Sequence, residues 1–552
     1  MKKKIRVFII GLDGMHWDFI YKFLLPKGLA PNLSNLLQNS VKGILKTPFP
    51  PLTPVAWSSF QTGLKPERHG VYDFFFREKN SYMAFPYDRT MMRGISMWKY
   101  LSKFGVSVGC INMPMTYPPE RVNGYIISGT LTPVGSSVFS YPPSLSKEII
   151  NKFGKYLIHH TIVYEKGRIM KLIKQQEEIL YNRTEVSIYM MEKYPVDVMM
   201  VHFLGTDRIQ HELWHVLDIS HPQHDKSEER YFPSIYRYFK LLDASIGKLL
   251  SNLPPYTYIL LVSDHGFGPV YKYFHINTFL HKRGYLKFKK DVISIWKKFL
   301  FDIGLTPGNI YKLMSIVGIS KLRRSTDILT RYKFLRRFFL SFNNVDWKNT
   351  KAYSIGNFGQ IYINLKGREP LGGVEPDEYD EVVESIIKDL KRLKDEKGNV
   401  IQEVMKGEEY YRSTDYRRPD IIYLTRNMEI YPLGTADFSS SEILEEIYGH
   451  TGNHRLEGIF ALSGKGVRKN DKKFFELNIY DIFPLISYLV RVPIPKGIDG
   501  KLNLALFDRD FLKNNPPHFT DIPSVEEDEE KGLTKEEKLR VKKHLEDLGY
   551  LG

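Results

Sequence analysis

The chain has 552 residues, 42% of them hydrophobic and 14% aromatic, which excludes wholesale disorder. That length allows one large α/β domain with insertions, or two or three domains. The formal net charge of +16 is unevenly placed: residues 282–350 carry sixteen Lys/Arg against four Asp, so the basic character belongs mainly to one segment.

Met1-Lys2-Lys3-Lys4 ahead of apolar residues has the charge of a signal-peptide start. Asp13 interrupts the apolar stretch and no small-residue cleavage site follows, so no signal peptide is expected. Residues 5–12 form a continuous apolar run ending in Asp13-Gly14, the pattern of a buried parallel strand closed by a turn. A short helix is expected over 31–37. A second covers 54–61, with Thr53 at the cap and Pro54 at the first helical position. Residues 106–111 and 125–128 read as strands, and 168–193 as a long helix. A second buried strand, 196–203, runs into Gly205-Thr206-Asp207. Residues 233–251 are helical, and a third strand, 256–263, ends in Asp264-His265-Gly266.

From about 270 to 350 the pattern changes. Trp296, Phe299, Phe301, Leu305, Leu313, Phe334, Phe338 and Phe339 are interleaved with Lys and Arg, which suggests a largely helical insertion at 282–350. Residues 352–365 return to strand-like alternation, and 376–395 form a charged helix. Residues 421–424 and 459–462 are strand-like, and 479–490 is the last core helix. Thr534 and Glu537 form a capping box for a helix closing at Gly549, after an acidic linker at 526–530. No apolar run approaches the roughly 18 residues needed to span a bilayer. The single cysteine, Cys110, excludes an intramolecular disulfide, and the cytoplasm is the expected location.

This alternation predicts an α/β fold: a mostly parallel central sheet between helices, with polar residues gathered at its carboxyl edge. The catalytic domain is expected to span 1–515, interrupted by 282–350, with a charged linker and terminal helix at 516–552. Asp264 and His265 can converge on one metal where Gly266 lets the backbone turn. Asp207 and His211, four apart, share one helical face and suit one cation, with His215 the rival ligand. Thr53, at a helix start, sits where the dipole favours an anion, and a metal there would depress its hydroxyl pKa. Asp13 closes the first strand and His454 adds a final imidazole.

These residues together resemble the alkaline phosphatase superfamily, in its type I phosphodiesterase/nucleotide pyrophosphatase-like branch. The matching segments are Phe8 to Gly14, Pro51-Leu52-Thr53-Pro54 through Thr62-Gly63 to His69-Gly70, and Gly205 to His211. Ser263 to Gly268, Ile361 to Asn364 with Gly367-Arg368-Glu369-Pro370, and Gly452 to Gly458 complete the set, which covers roughly 5–505 outside the basic insertion. The resemblance implies that Asp13, Thr53, Asp264 and His265 hold one cation, and Asp207, His211 and His454 the other. Zinc suits that ligand set, with manganese or iron as alternatives. Thr53 is then the nucleophile on a small anionic phosphate ester, forming a covalent phospho-threonine between two ions about 4 Å apart. The asparagine that nucleotide pyrophosphatases of this family usually carry three residues after the nucleophile is Ala56 here, which leaves nucleotide specificity open.

Sulfatases need Cys or Ser at the nucleophile position, and the related mutases use serine, so Thr53 argues against both. A phosphomonoesterase on the same site is the closest alternative. Three readings of the basic segment are ranked: a cap drawing in anionic substrates, with its aromatic stripe as core; then a peripheral contact with an anionic membrane; and last a nucleic-acid contact. Arg368 is expected to bind a substrate phosphate or to pair with Glu369. His275 and Asn277, following the third strand, are expected to be satisfied loop groups, with lining of the pocket as the alternative.

Overall fold

The computed structural model describes residues 4–548 apart from 165, 317–336, 435, 448–450, 469–473 and 523–530. Eleven strands matter for the site. In chain order they are β1 Val7–Leu12, β2 Val41–Lys46, β3 Val108–Ile111, β4 Gly124–Ile127, β5 Ser140–Tyr141 and β6 Val198–Phe203. They continue with β7 Tyr258–Val262, β8 Gly266–Pro269, β9 Gly452–Arg455, β10 Glu457–Ser463 and β11 Phe474–Asn478. Nine of them make one sheet in the order β11-β2-β10-β7-β1-β6-β3-β4-β5. Its centre, β7-β1-β6-β3-β4, is parallel throughout. The outer strands β10 and β5 run antiparallel to their neighbours.

Helices cover both faces, which is why the central strands read as unbroken apolar runs. On β1, Phe8, Ile10 and Leu12 face one layer while Val7 and Ile9 face the other. The first layer contains α1 Pro31–Gln38 and α3 Ile169–Lys193, while α2 Thr53–Thr62 lies on the opposite face. The helices α4 Gly205–Leu217 and α5 Phe232–Ser251 pack on this same side through Ile209, Leu213, Phe239 and Leu242. Across the sheet, α2 joins the later helix Ile482–Leu489 around Trp57, Phe60 and Phe483.

A third apolar cluster lies outside the central sheet. It gathers residues from 270–447, joined by others from 52–131 and 533–545, around a four-stranded antiparallel sheet built from Ala352–Tyr353, Gln360–Ile363, Ile421–Thr425 and Ile401–Lys406. The basic segment contributes α6 Val292–Asp302 and α7 Pro307–Ile316, followed by short turns at Phe342–Asn344 and Trp347–Asn349. The expectation that its aromatic stripe is core holds only for Phe301 and Phe339; Trp296, Phe299, Leu305, Leu313 and Phe338 are exposed, and Phe334 lies outside the described residues. Among the described residues no helix is long and apolar enough to cross a membrane. The expected capping box on Thr534 and Glu537 is present and opens the helix α8 Lys535–Asp547. Gly549 and the acidic run 526–530 lie outside the described residues.

Candidate metal centre

Three parallel strands deliver the acidic residues. Asp13 follows β1, Asp264 follows the neighbouring β7, and Asp207 opens α4 just after β6 on the other side. Because β1 lies between β6 and β7, all three carboxylates meet at one sheet edge. Gly14 makes the close approach feasible. Its φ is +68°, and a Cβ there would fall 3.3 Å from the Asp207 Cα. The Gly14 N–H donates to Asp264 Oδ1 at 3.3 Å, and the Gln210 amide donates to the Gly14 carbonyl at 2.8 Å. Asp207 and His211 share a face of α4, as their spacing predicts. His454 arrives on an antiparallel pair, β8 with β9, in which Phe267 stands opposite it.

The six acidic and imidazole residues are all buried, and their ring orientations follow from one repeated device. Each imidazole points Nδ1 at a main-chain carbonyl: His211 at Gly452 (3.1 Å), His265 at Gly266 (3.1 Å) and His454 at Pro51 (2.7 Å). A carbonyl can only accept, so Nδ1 carries the proton and each Nε2 presents its lone pair to the centre. There His211 Nε2 and His454 Nε2 stand 2.8 Å apart, and Asp207 Oδ1 is 3.2 Å from each. His265 Nε2 is 3.3 Å from Asp264 Oδ2 and 3.5 Å from Asp13 Oδ1. Two compact ligand groups result, Asp13-Asp264-His265 and Asp207-His265-His454, with His265 in both. His211 adjoins the second through the distances just given.

This lining is short of positive charge. Asp13 Oδ1, both Asp207 oxygens, Asp264 Oδ2 and His265 Nε2 are buried without a hydrogen-bond partner. Burial first, then repulsion from neighbouring carboxylates, holds Asp13 and Asp264 well above the usual carboxylate range. Burial and the neighbouring His454 hold His265 well below its ordinary value, so the ring is neutral. Each buried group without a partner costs about 1–3 kcal/mol. Carboxylate oxygens and imidazole lone pairs converging without donors fit divalent cations, which would relieve that deficit.

Thr53 requires one correction. Leu52, with φ −113° and ψ 137°, occupies the cap position, and Thr53 is the first residue of the helix. The physical reason is that the Leu52 carbonyl already accepts the first helical bond, from the Ala56 N–H at 2.8 Å. Thr53 is therefore not spent on capping. It is 3% exposed, and its hydroxyl makes no hydrogen bond among the described residues. The contact between His454 and the Pro51 carbonyl brings this helix start against the ligand cluster. Ala56 is buried in the apolar layer with Trp57 and Phe60, so it offers nothing polar.

The other sequence candidates sort cleanly. His215, the rival ligand, points Nε2 at Glu228 Oε2 (3.0 Å) and Nδ1 at Thr451 Oγ1 (3.1 Å), away from the cluster. Arg368 holds Asp420 with two bonds of 2.8 and 2.6 Å and reaches Glu369 at 3.2 Å, so it is committed to a structural network. His275 pairs with Glu445 at 2.9 Å, and Asn277 with the Ser354 main chain, as satisfied groups. Sequence reasoning missed His202. This buried residue on β6 places Nε2 3.0 Å from Asp13 Oδ2 and Nδ1 3.1 Å from the Asn112 carbonyl. It ties down one oxygen of Asp13 and leaves Oδ1 toward the other ligands. The available signal was an imidazole inside an otherwise apolar strand, Val-Met-Met-Val-His-Phe. His202→Ala is expected to weaken metal affinity by about 10–100-fold while His202→Gln restores part of it, as read by competition with a chromogenic chelator. Unchanged affinity in His202→Ala would remove the positioning role.

The sequence profile of the type I phosphodiesterase/nucleotide pyrophosphatase family matches residues 7–437. The chain belongs to that family. It is thereby a phosphoester hydrolase by class. No curated protein matches it in sequence. Among solved structures, phosphonoacetate hydrolase from Sinorhizobium meliloti 1021, in complex with phosphonoformate, is similar at a TM-score of 0.52 and 13% identity, over 89% of this chain and 96% of that one. Murine ectonucleotide pyrophosphatase/phosphodiesterase 5 is similar at 0.50 and 14% identity, over 91% of this chain and 100% of that one. An inactive threonine-to-alanine variant of the murine protein, in complex with AMP, is similar at 0.50 and 14% identity, over 92% and 100%. These likenesses establish an alkaline phosphatase-like fold around a large central sheet. Its two candidate metal-ligand groups lie where the strands of that sheet end.

Proposed function

We propose that this protein hydrolyses a small anionic phosphodiester or phosphoanhydride through Thr53, with two divalent cations bound by the clustered residues. Asp13, Thr53, Asp264 and His265 hold one ion and Asp207, His211 and His454 the other, and zinc is the metal best suited to this donor set. The observation that carries the reading is the group of buried carboxylate oxygens and imidazole Nε2 atoms with no donor among them. Bound there, the cations supply positive charge to a phosphoryl group and lower the pKa of a bound hydroxyl.

The chain's own groups do the rest. The Thr53 oxygen attacks phosphorus as its proton passes to solvent, and the bond from phosphorus to the leaving oxygen breaks. A phospho-threonine and an alcohol or phosphate leaving group result. Water then attacks the same phosphorus, the bond to Thr53 breaks, and the threonine hydroxyl recovers a proton. The positive end of the ten-residue helix Thr53–Thr62 faces the negative charge that accumulates during both steps. The inactive threonine-to-alanine variant of the murine neighbour supports a nucleophilic threonine, and the AMP and phosphonoformate of the two neighbours support a compact anionic substrate. His202 and the carbonyls of Pro51, Gly266 and Gly452 hold the ligand side chains in register.

The test is a substrate panel on chelator-treated protein. Bis(p-nitrophenyl) phosphate and p-nitrophenyl phosphate are offered before and after zinc or manganese is returned. Turnover is expected to vanish on chelation, to return with metal, and to favour the diester. Full activity after verified metal removal defeats the proposal, and strong preference for the monoester replaces it with a phosphomonoesterase.

A further inference from the structure

The helix Val292–Asp302 is built inside out. Its small polar Ser294 is buried and its hydroxyl accepts from the Asn344 amide at 3.0 Å. Its large apolar side chains face water instead: Val292 is 83% exposed, Ile293 64%, Phe299 58% and Trp296 45%. Only Phe301 of its aromatic residues turns inward. The outward stripe continues past the helix through Ile303, and Phe338 sits edge-on to Trp296 with ring centroids 6.2 Å apart. Burying such a stripe in a partner is worth far more than leaving it in water, and patches of this kind mark contact surfaces.

Charge selects the partner. Lys287, Lys289 and Lys290 lie just before the helix and Lys297 lies within it, whereas Lys298 is paired with Asp302 and Lys312 with Glu445. Lys287 and Lys290 are exposed and make no ion pair among the described residues. A second copy would bring the same lysines face to face. Residues 317–336 carry six Lys/Arg against one Asp, which is again the wrong sign for a cover. An anionic surface with an apolar interior satisfies both features: the aromatic side chains enter the boundary layer while the lysines meet headgroups.

We propose that the outward face of Val292–Asp302 docks this enzyme on an anionic lipid bilayer. The contact is peripheral, resting on one short amphipathic helix and its basic surround.

Flotation of the full chain with vesicles tests this directly. Vesicles of phosphatidylcholine alone are compared with vesicles containing phosphatidylglycerol. Wild type is expected to float with the second and stay behind with the first, and added salt weakens the binding. Trp296→Ser/Phe299→Ser is expected to bind at least about tenfold more weakly. Lys287→Glu/Lys290→Glu is expected to show a similar loss. Both variants keep wild-type turnover of a soluble chromogenic ester, which separates this inference from the catalytic one. Failure of wild type to float, or undiminished flotation of Trp296→Ser/Phe299→Ser, overturns the proposal. So does a wild-type dimer in light scattering that this variant splits, because a second copy then owns the face. Vesicle binding that emerges only after residues 317–336 are deleted also overturns it, by assigning the face to that segment.

Discussion

Thr53→Ala is expected to lower diester turnover by at least about 10³-fold while leaving the metal content of the protein near that of wild type. The carboxylates and imidazoles of both ligand groups remain in the variant, and the lost hydroxyl makes no hydrogen bond among the described residues, so the fold has little to lose. Thr53→Ser keeps a hydroxyl at the helix start and retains measurable activity. Acid-quenched wild type, digested and analysed by mass spectrometry, is expected to carry a phosphoryl group on the peptide containing Thr53, and Thr53→Ala to carry none. Turnover that survives in Thr53→Ala rules out the covalent route and leaves direct attack by water.

His454→Ala addresses the other half of the centre. The imidazole lies 2.8 Å from His211 Nε2, 3.2 Å from Asp207 and stacked 3.6 Å from the His265 ring, so its removal opens the cluster from the side. One cation per chain is expected to disappear in elemental analysis. Turnover is expected to fall by about 10³-fold, equivalent to losing about 4 kcal/mol of transition-state stabilisation. The β8–β9 pairing is made by main-chain atoms and does not depend on that ring, so thermal unfolding is expected to stay cooperative. A variant with full metal content and full turnover would show that His454 is a bystander.

The sequence disclosed the acidic residues because each follows an apolar run, and the end of a parallel strand is where such a fold exposes polar groups. Asp13, Asp207 and Asp264 were legible on those grounds, and the helical spacing of Asp207 and His211 needed only elementary geometry. The role of Pro54 misled by one position: proline is tolerated throughout the first helical turn, so it could not decide between Leu52 and Thr53 as the cap. His202 escaped notice because one imidazole in a buried strand carries no spacing signal, and its worth depends on the neighbouring strand bearing Asp13. The stripe on Val292–Asp302 was visible as periodicity, yet periodicity has no sign. It marks which side chains share a face, and only tertiary packing determines whether that face turns inward.

The pairing of Gly266–Pro269 with Gly452–Arg455 has a consequence for how the protein is made. Ribosomes deliver chain from the amino end at about 5–20 residues each second. The sheet edge bearing the three carboxylates is therefore synthesised long before its last imidazole emerges. About 190 residues separate Asp264 from His454, so the last nitrogen donor emerges roughly 10–40 s after the carboxylates it joins. Completion of the candidate metal centre therefore waits on translation of β9, the strand that carries His454.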